Sequence, residues 1–113
     1  MLIIEDDPLV AMHIQMLLEE NGATSVAIAE TESQAIWAAS LRPPAFITSD
    51  ISLLRGTGPA AVRTIQAKCG PVPVIFITAL PAANPVRGPK ERLFGKPIDE
   101  AAVAQAIREL LAA

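Results

Sequence analysis

The chain is poor in cysteine, histidine and aromatic residues, and each shortage removes a class of reading. Its 113 residues hold one cysteine, Cys69, so no disulfide can close within it. Such thiol usage fits a reducing cytoplasm. The one histidine, His13, has no second imidazole to share a metal with; mid-helix and on a partly exposed face, it reads as a solvent-facing structural residue. Aromatic residues make up 4% of the chain, so a core must be built from Ile, Leu, Val and Ala. No apolar stretch approaches the ~20 residues of a membrane span. No basic leader precedes an apolar core in the manner of a secretory signal. The formal charge is −3, with no run of one sign. That argues against direct nucleic-acid contact, which calls for a basic face. Gly56 and Gly58 lack P-loop spacing and read as backbone devices. No repeat or linker divides the chain, so one domain over 1–113 with one core is expected.

What the chain does have is a set of short apolar runs, each leading to chemically active residues. Leu2-Ile3-Ile4 runs into Glu5-Asp6-Asp7, and Phe46-Ile47-Thr48-Ser49 stops at Asp50. Val74-Ile75-Phe76-Ile77 stops at Thr78, and Leu93-Phe94 leads to Lys96-Pro97. Short apolar runs bounded by turn signals read as strands buried on both faces. Strands are expected over 1–5, 25–29, 45–49, 74–78 and 93–95.

Helices fit between them. Asp7 is a good N-cap and Pro8 a tolerated first helical residue, opening a helix to about Asn21 that Gly22 stops. Thr31 and Gln34 suit a capping box, for a helix with Ala35, Ile36 and Ala39 inward that ends before Pro43-Pro44. A third helix starts at Pro59, with Val62, Ile65 and Cys69 on one face. Asp99 caps a last one, striped by Val103, Ile107, Leu110 and Leu111. Alternation calls for another helix after Thr78. Pro81, Pro85 and Pro89 forbid a regular one, so 81–92 is expected to be irregular and soft, with one or two turns at most.

Five-fold strand–helix alternation implies an α/β fold, a single parallel sheet with helices on both faces. In the flavodoxin-like (βα)5 order 2-1-3-4-5, strands one and three adjoin at the switch point where ligands bind. Glu5, Asp6 and Asp50 then meet. Three adjacent carboxylates resist ionising together. A hard divalent cation resolves the conflict, and magnesium takes a few carboxylate oxygens, waters and a substrate phosphate. Asp6 and Asp50 suit direct ligation, and Glu5 suits a metal-bound water. Asp50 could then attack a phosphoryl group and form an acyl phosphate, with Thr78 and Lys96 serving the phosphoryl oxygens.

Glu5-Asp6, Asp50, Thr78 and Lys96-Pro97, in this order and at strand ends, resemble the receiver domain of two-component response regulators. The resemblance covers essentially the whole chain. It implies that Asp50 is the phosphoacceptor and that Glu5 and Asp6 form the acidic pocket. It implies that Ser52 gives a backbone carbonyl to magnesium, that Thr78 is the switch hydroxyl and that Lys96 binds phosphate. Ala79 matches a position kept small at the phosphoryl entrance, and a cis bond before Pro97 is common in the family. The implied cofactor is Mg2+. The implied partners are a histidine kinase or histidine phosphotransfer protein and a downstream protein, in the cytoplasm, in a regulator rather than an enzyme. The stretch after the fourth strand is more similar to receivers of the alphaproteobacterial general-stress-response type.

Two departures stand out. The span from Thr78 to Lys96 is short, and Leu93 stands where many receivers carry the Tyr or Phe that swings inward on activation. They motivate a competing expectation, a receiver-shaped interaction module that works without phosphorylation. A magnesium-dependent phosphatase is a third reading, but Ser52 stands where its acid/base aspartate should be.

Overall fold

Strands made wholly of buried side chains form the centre of the molecule. In the computed structural model, which describes residues 1–79 and 84–112, these are β1 (Leu2–Ile4) and β3 (Ile47–Ser49). β2 (Ala27–Ala29) flanks β1, and β4 (Val74–Thr78) and β5 (Glu91–Gly95) follow β3. All pairings are parallel, in the order β2-β1-β3-β4-β5. This is the flavodoxin-like order expected. The last strand begins two residues earlier than expected, at Glu91, and the first three are shorter than their expected spans.

Side chains alternate across each strand, so the core has two layers. Leu2, Ile4, Ile47 and Phe76 face α2 (Glu32–Leu41) and α3 (Gly58–Cys69), meeting Ala35, Ala39, Val62 and Ile65. Ile3, Ile75 and Ile77 face α1 (Pro8–Glu20) and α4 (Glu100–Ala112), meeting Ile14, Leu18, Val103 and Ile107. Ile36 and Cys69 are only partly buried. Leu111 is largely exposed, and Ala106 takes its place in the buried stripe of α4.

The helix starts follow local chemistry. Asp7 accepts from the Leu9 and Val10 amides, and Asp99 accepts from that of Ala102 at 3.1 Å. Thr31 accepts from the Gln34 amide. The Gln34 side chain answers Glu30, one residue before the position a capping box requires. α3 starts at Gly58 under a Thr57 cap. His13 sits 2.6 Å from Glu100 and joins α1 to α4, so its structural role is a link between two helices. No helix among the described residues is long and apolar enough to cross a membrane.

Residues 84–90 contain no helix. They are nevertheless anchored. Glu91 is 6% exposed, and its carboxylate receives Arg63 at 2.7 and 2.9 Å, Gln66 at 2.9 Å and the Arg87 amide at 2.8 Å. Arg63 also donates to the Pro85 carbonyl and lies over the Phe76 ring. The expected irregularity is therefore present over 84–90, while the expected softness overlooks this anchor. Pro81 and residues 82–83 lie outside the described residues.

Candidate functional site

Register brings the acidic stops together. Ile4 pairs with Ser49, so Glu5 and Asp50 leave the sheet side by side. The Asp50 amide donates to the Ile4 carbonyl at 2.8 Å. Glu5, Asp6 and Asp50 each present a carboxylate oxygen within 4.8 Å of the others. Lys96 arrives from the far side of β4. Its Nζ lies 2.8 Å from Glu5 Oε1 and 3.1 Å from Asp50 Oδ2. Its amide donates to the Thr78 carbonyl at 2.8 Å, which keeps the ends of β4 and β5 level. The Lys96–Pro97 bond is cis.

Burial sets the charges. It pushes the Glu5 carboxyl above its usual range, outweighing the bonds from Lys96 and the Asp7 amide. The nearby Asp50 carboxylate pushes the same way. Burial alone would lower Lys96, but its bonds to Glu5 and Asp50 win and raise it, so the ammonium stays charged. One ammonium thus faces three carboxyl groups. The Asp6 side chain has no hydrogen-bond partner among the described residues. An all-oxygen donor set with excess negative charge and one uncommitted carboxylate fits a hard divalent cation.

The loop after β3 is built tightly around Asp50. The Ile51 amide donates to Asp50 Oδ1 at 2.7 Å and fixes the carboxylate. Ser49 Oγ donates to the Asp50 carbonyl at 2.8 Å. A Cβ on Gly58 would fall 1.7 Å from that carbonyl oxygen and 2.2 Å from Ser49 Oγ, so only glycine lets α3 start there. Glu32 accepts from the Thr57 amide and donates its own amide to the Arg55 carbonyl, tying the loop to α2. Ser52 lies in this loop, bridged to Thr57.

Thr78 ends β4 opposite Gly95, and Ala79 follows it, exposed. Leu93 is partly buried against the layer that holds Phe76. Of the six residues singled out from the sequence, Glu5, Asp6, Asp50 and Lys96 converge, while Thr78 and Ser52 stand at the end of β4 and in the loop after β3. The sequence reading missed the contact of Gly58 on Asp50 and the Glu32 tether. The glycine pair was the only local signal of the first, and nothing local announces the second.

A family model for the response regulator receiver domain matches residues 1–108. The chain belongs to the response regulator receiver domain family. As a receiver it is 36% identical, over 97% of its length, to the Phyllosphere-induced regulator PhyR of Methylorubrum extorquens, of which it covers 42%. A mutant form of the anti-anti-sigma factor PhyR from Bartonella quintana superposes with a TM-score of 0.83 at 34% identity, over 98% of this receiver and 47% of that chain. This receiver spans less than half the length of these two PhyR proteins. The receiver domain of a Pseudomonas aeruginosa sensor histidine kinase, with magnesium coordinated in its active-site cleft, matches at TM-score 0.79 and 25% identity, over 99% and 96% of the two chains.

Proposed function

We propose that this receiver, a unit over 1–113, takes a phosphoryl group onto Asp50 and signals by a change in protein partner. One observation carries the reading: the Asp50 carboxylate is fixed by the Ile51 amide and Lys96, with Glu5 and Asp6 beside it. A positioned carboxylate is a competent nucleophile toward phosphorus. The donor is a phosphohistidine on a histidine kinase or phosphotransfer protein. An Asp50 oxygen bonds to phosphorus as the P–N bond breaks, the imidazole leaves with the bonding pair, and an acyl phosphate remains. Lys96, already at Asp50, pairs with a phosphoryl oxygen, and Thr78 binds another.

Asp6, Asp50 and the Ser52 carbonyl would hold magnesium, with Glu5 orienting a bound water. The ion would supply charge neutralisation on the transferring oxygens. Donor docking falls to the neighbouring face of α1, where Leu9, Met12 and Met16 are all exposed. The likeness to the anti-anti-sigma factor PhyR supports an output of that type, with the receiver working in the cytoplasm.

Incubation with magnesium and acetyl phosphate tests the core of this reading. Intact-mass spectrometry should show one added phosphoryl group, lost in Asp50→Asn. No adduct with acetyl phosphate or any phosphohistidine donor overturns it. Leu93, partly buried and without a ring to swing, favours the non-phosphorylated module as second reading. That reading wins if Asp50→Asn leaves signalling in cells unchanged.

A further inference from the structure

β5 is an edge strand, paired with β4 alone. Its register therefore rests on one ladder and on the side chains it packs on either face. Leu93 packs toward the α3 layer and Phe94 toward the α4 layer. A one-residue slip would keep only one of these two apolar contacts, putting Gly95 in the Phe94 place in one direction and Arg92 in the Leu93 place in the other, so hydrophobic pattern opposes it in part. The charges oppose it in both directions. Glu91 shares a face with Leu93 and meets Arg63 of α3 in a two-pronged ion pair. Its sequence neighbours are Lys90 and Arg92. A slip in either direction would set a cation against the Arg63 guanidinium, and would leave Gln66 and the Arg87 amide without their acceptor.

The consequence reaches the site. Lys96 follows β5 directly, and a one-residue shift moves it by about 3.3 Å and turns its side chain to the other face. Its contacts with Glu5 and Asp50 could not survive. We propose that the Arg63–Glu91 pair, flanked by Lys90 and Arg92, sets the register of β5 and thereby positions Lys96 beside Asp50. Arg63 and Glu91 are then positioning residues, more than ten positions from the acceptor in sequence. The activity part of this proposal rests on the phosphoacceptor reading; the register part does not.

The variant Lys90→Glu/Arg92→Glu tests it while leaving the ion pair intact. Three consecutive glutamates would compete for Arg63, so slipped registers become available. Backbone NMR should then show a second set of amide signals over 91–96 and weakened cross-strand contacts between 75 and 92 and between 77 and 94. The initial rate of phosphoryl uptake from acetyl phosphate should fall about tenfold, as expected of a displaced catalytic group. A second variant, Arg63→Met/Glu91→Leu, keeps the packing and removes the charges, and should show the same doubling. One set of signals with native pairing in the Lys90→Glu/Arg92→Glu chain overturns the proposal, whether or not the second variant folds, because a merely stabilising pair would be untouched there. Doubled signals in a chain whose parent takes no phosphoryl group would sink the phosphoacceptor reading and leave the register inference standing.

Discussion

Lys96 and Glu5 meet at 2.8 Å although 91 positions separate them in the chain. Glu5 is 1% exposed, so the ammonium is the partner that lets a carboxylate sit inside the protein. Breaking a buried pair by deleting one member leaves the other charge uncompensated, at a cost of about 3 kcal/mol. Lys96→Ala should therefore lose stability of that order in urea titrations without magnesium. Saturating magnesium should return part of the loss, because the cation takes over the neutralisation. An equal loss with and without the ion would show that the two do not share an electrostatic task.

Asp6 gives the opposite sign. It adds a third carboxylate to the cluster and has no hydrogen-bond partner among the described residues. Asp6→Asn should raise the stability of the metal-free protein by about 0.5–1 kcal/mol through relief of repulsion. It should also abolish the magnesium-linked stabilisation, which for wild type reaches about 2.7 kcal/mol at a hundred-fold excess over Kd, and with it the rise in melting temperature. Differential scanning fluorimetry across a magnesium series reads both effects. A variant that binds the ion as wild type does would remove Asp6 from the ligand set.

Gly58→Ala should be among the most damaging single changes near the site. The new methyl would meet the Asp50 backbone as well as the Ser49 hydroxyl, so turning the Ser49 side chain away would not relieve the clash. Overpacking of this kind costs about 3 kcal/mol. Because relief requires the Asp50 peptide to move, phosphoryl uptake should fall with stability. Gly22→Ala is the control: nothing lies near its Cβ, and only its positive φ of 103° resists the change. It should lose about 1 kcal/mol and keep its uptake rate.

Much of this was legible in the chain because it is written locally. Asp7 with Pro8 announces a helix start, and Val74 to Thr78 announces a strand whose bounds the structure keeps. The acidic site was legible one step later, since parallel topology alone carries strand ends to one edge. Pairs made across the fold were not. Arg63 and Glu91 lie 28 positions apart, and a charged residue on a helix normally reads as solvated. Leu111 misled for a related reason: periodicity shows which face points inward but not where the sheet ends beneath it. Between Thr78 and Glu91 the prolines correctly forbade a helix over 84–90, yet they carry no sign of the anchor that replaces one.

Glu91 makes the chain's acid sensitivity predictable in sign. Burial would raise its carboxyl, but Arg63, Gln66 and the Arg87 amide outweigh burial and hold it below the usual carboxylate range. A depressed folded-state value means that the unfolded chain binds the proton more readily. The stability contributed by Glu91 is thus complete above the unfolded value of about 4.3 and is lost as pH falls through the lower folded one. Glu91→Gln should be less stable than wild type at pH 7, and the gap should narrow as pH falls below the unfolded value and close once it passes the lower folded one. Urea midpoints compared across that range check it; a gap that widens toward acid would mean the carboxyl is not held down.

The proposed docking face beside the acidic pocket lets donor recognition be tested apart from chemistry. Leu9, Met12 and Met16 are 75%, 58% and 54% exposed, and their spacing puts them on one face of α1. Asp7 caps the same helix, so this face begins next to Glu5 and Asp6. Flexible methionines suit a surface that must fit a partner helix. Exposed side chains with no buried partner contribute little to folding, so Met12→Ser/Met16→Ser should stay within about 0.5 kcal/mol of wild type. Acetyl phosphate needs no docking surface, and uptake from it should be unchanged. Transfer from a phosphorylated histidine kinase or phosphotransfer protein should slow markedly, with the loss in apparent affinity rather than in the maximal rate. Equal slowing with both donors would mean that the substitutions disturb the site itself, and no slowing with either would move the docking face away from α1.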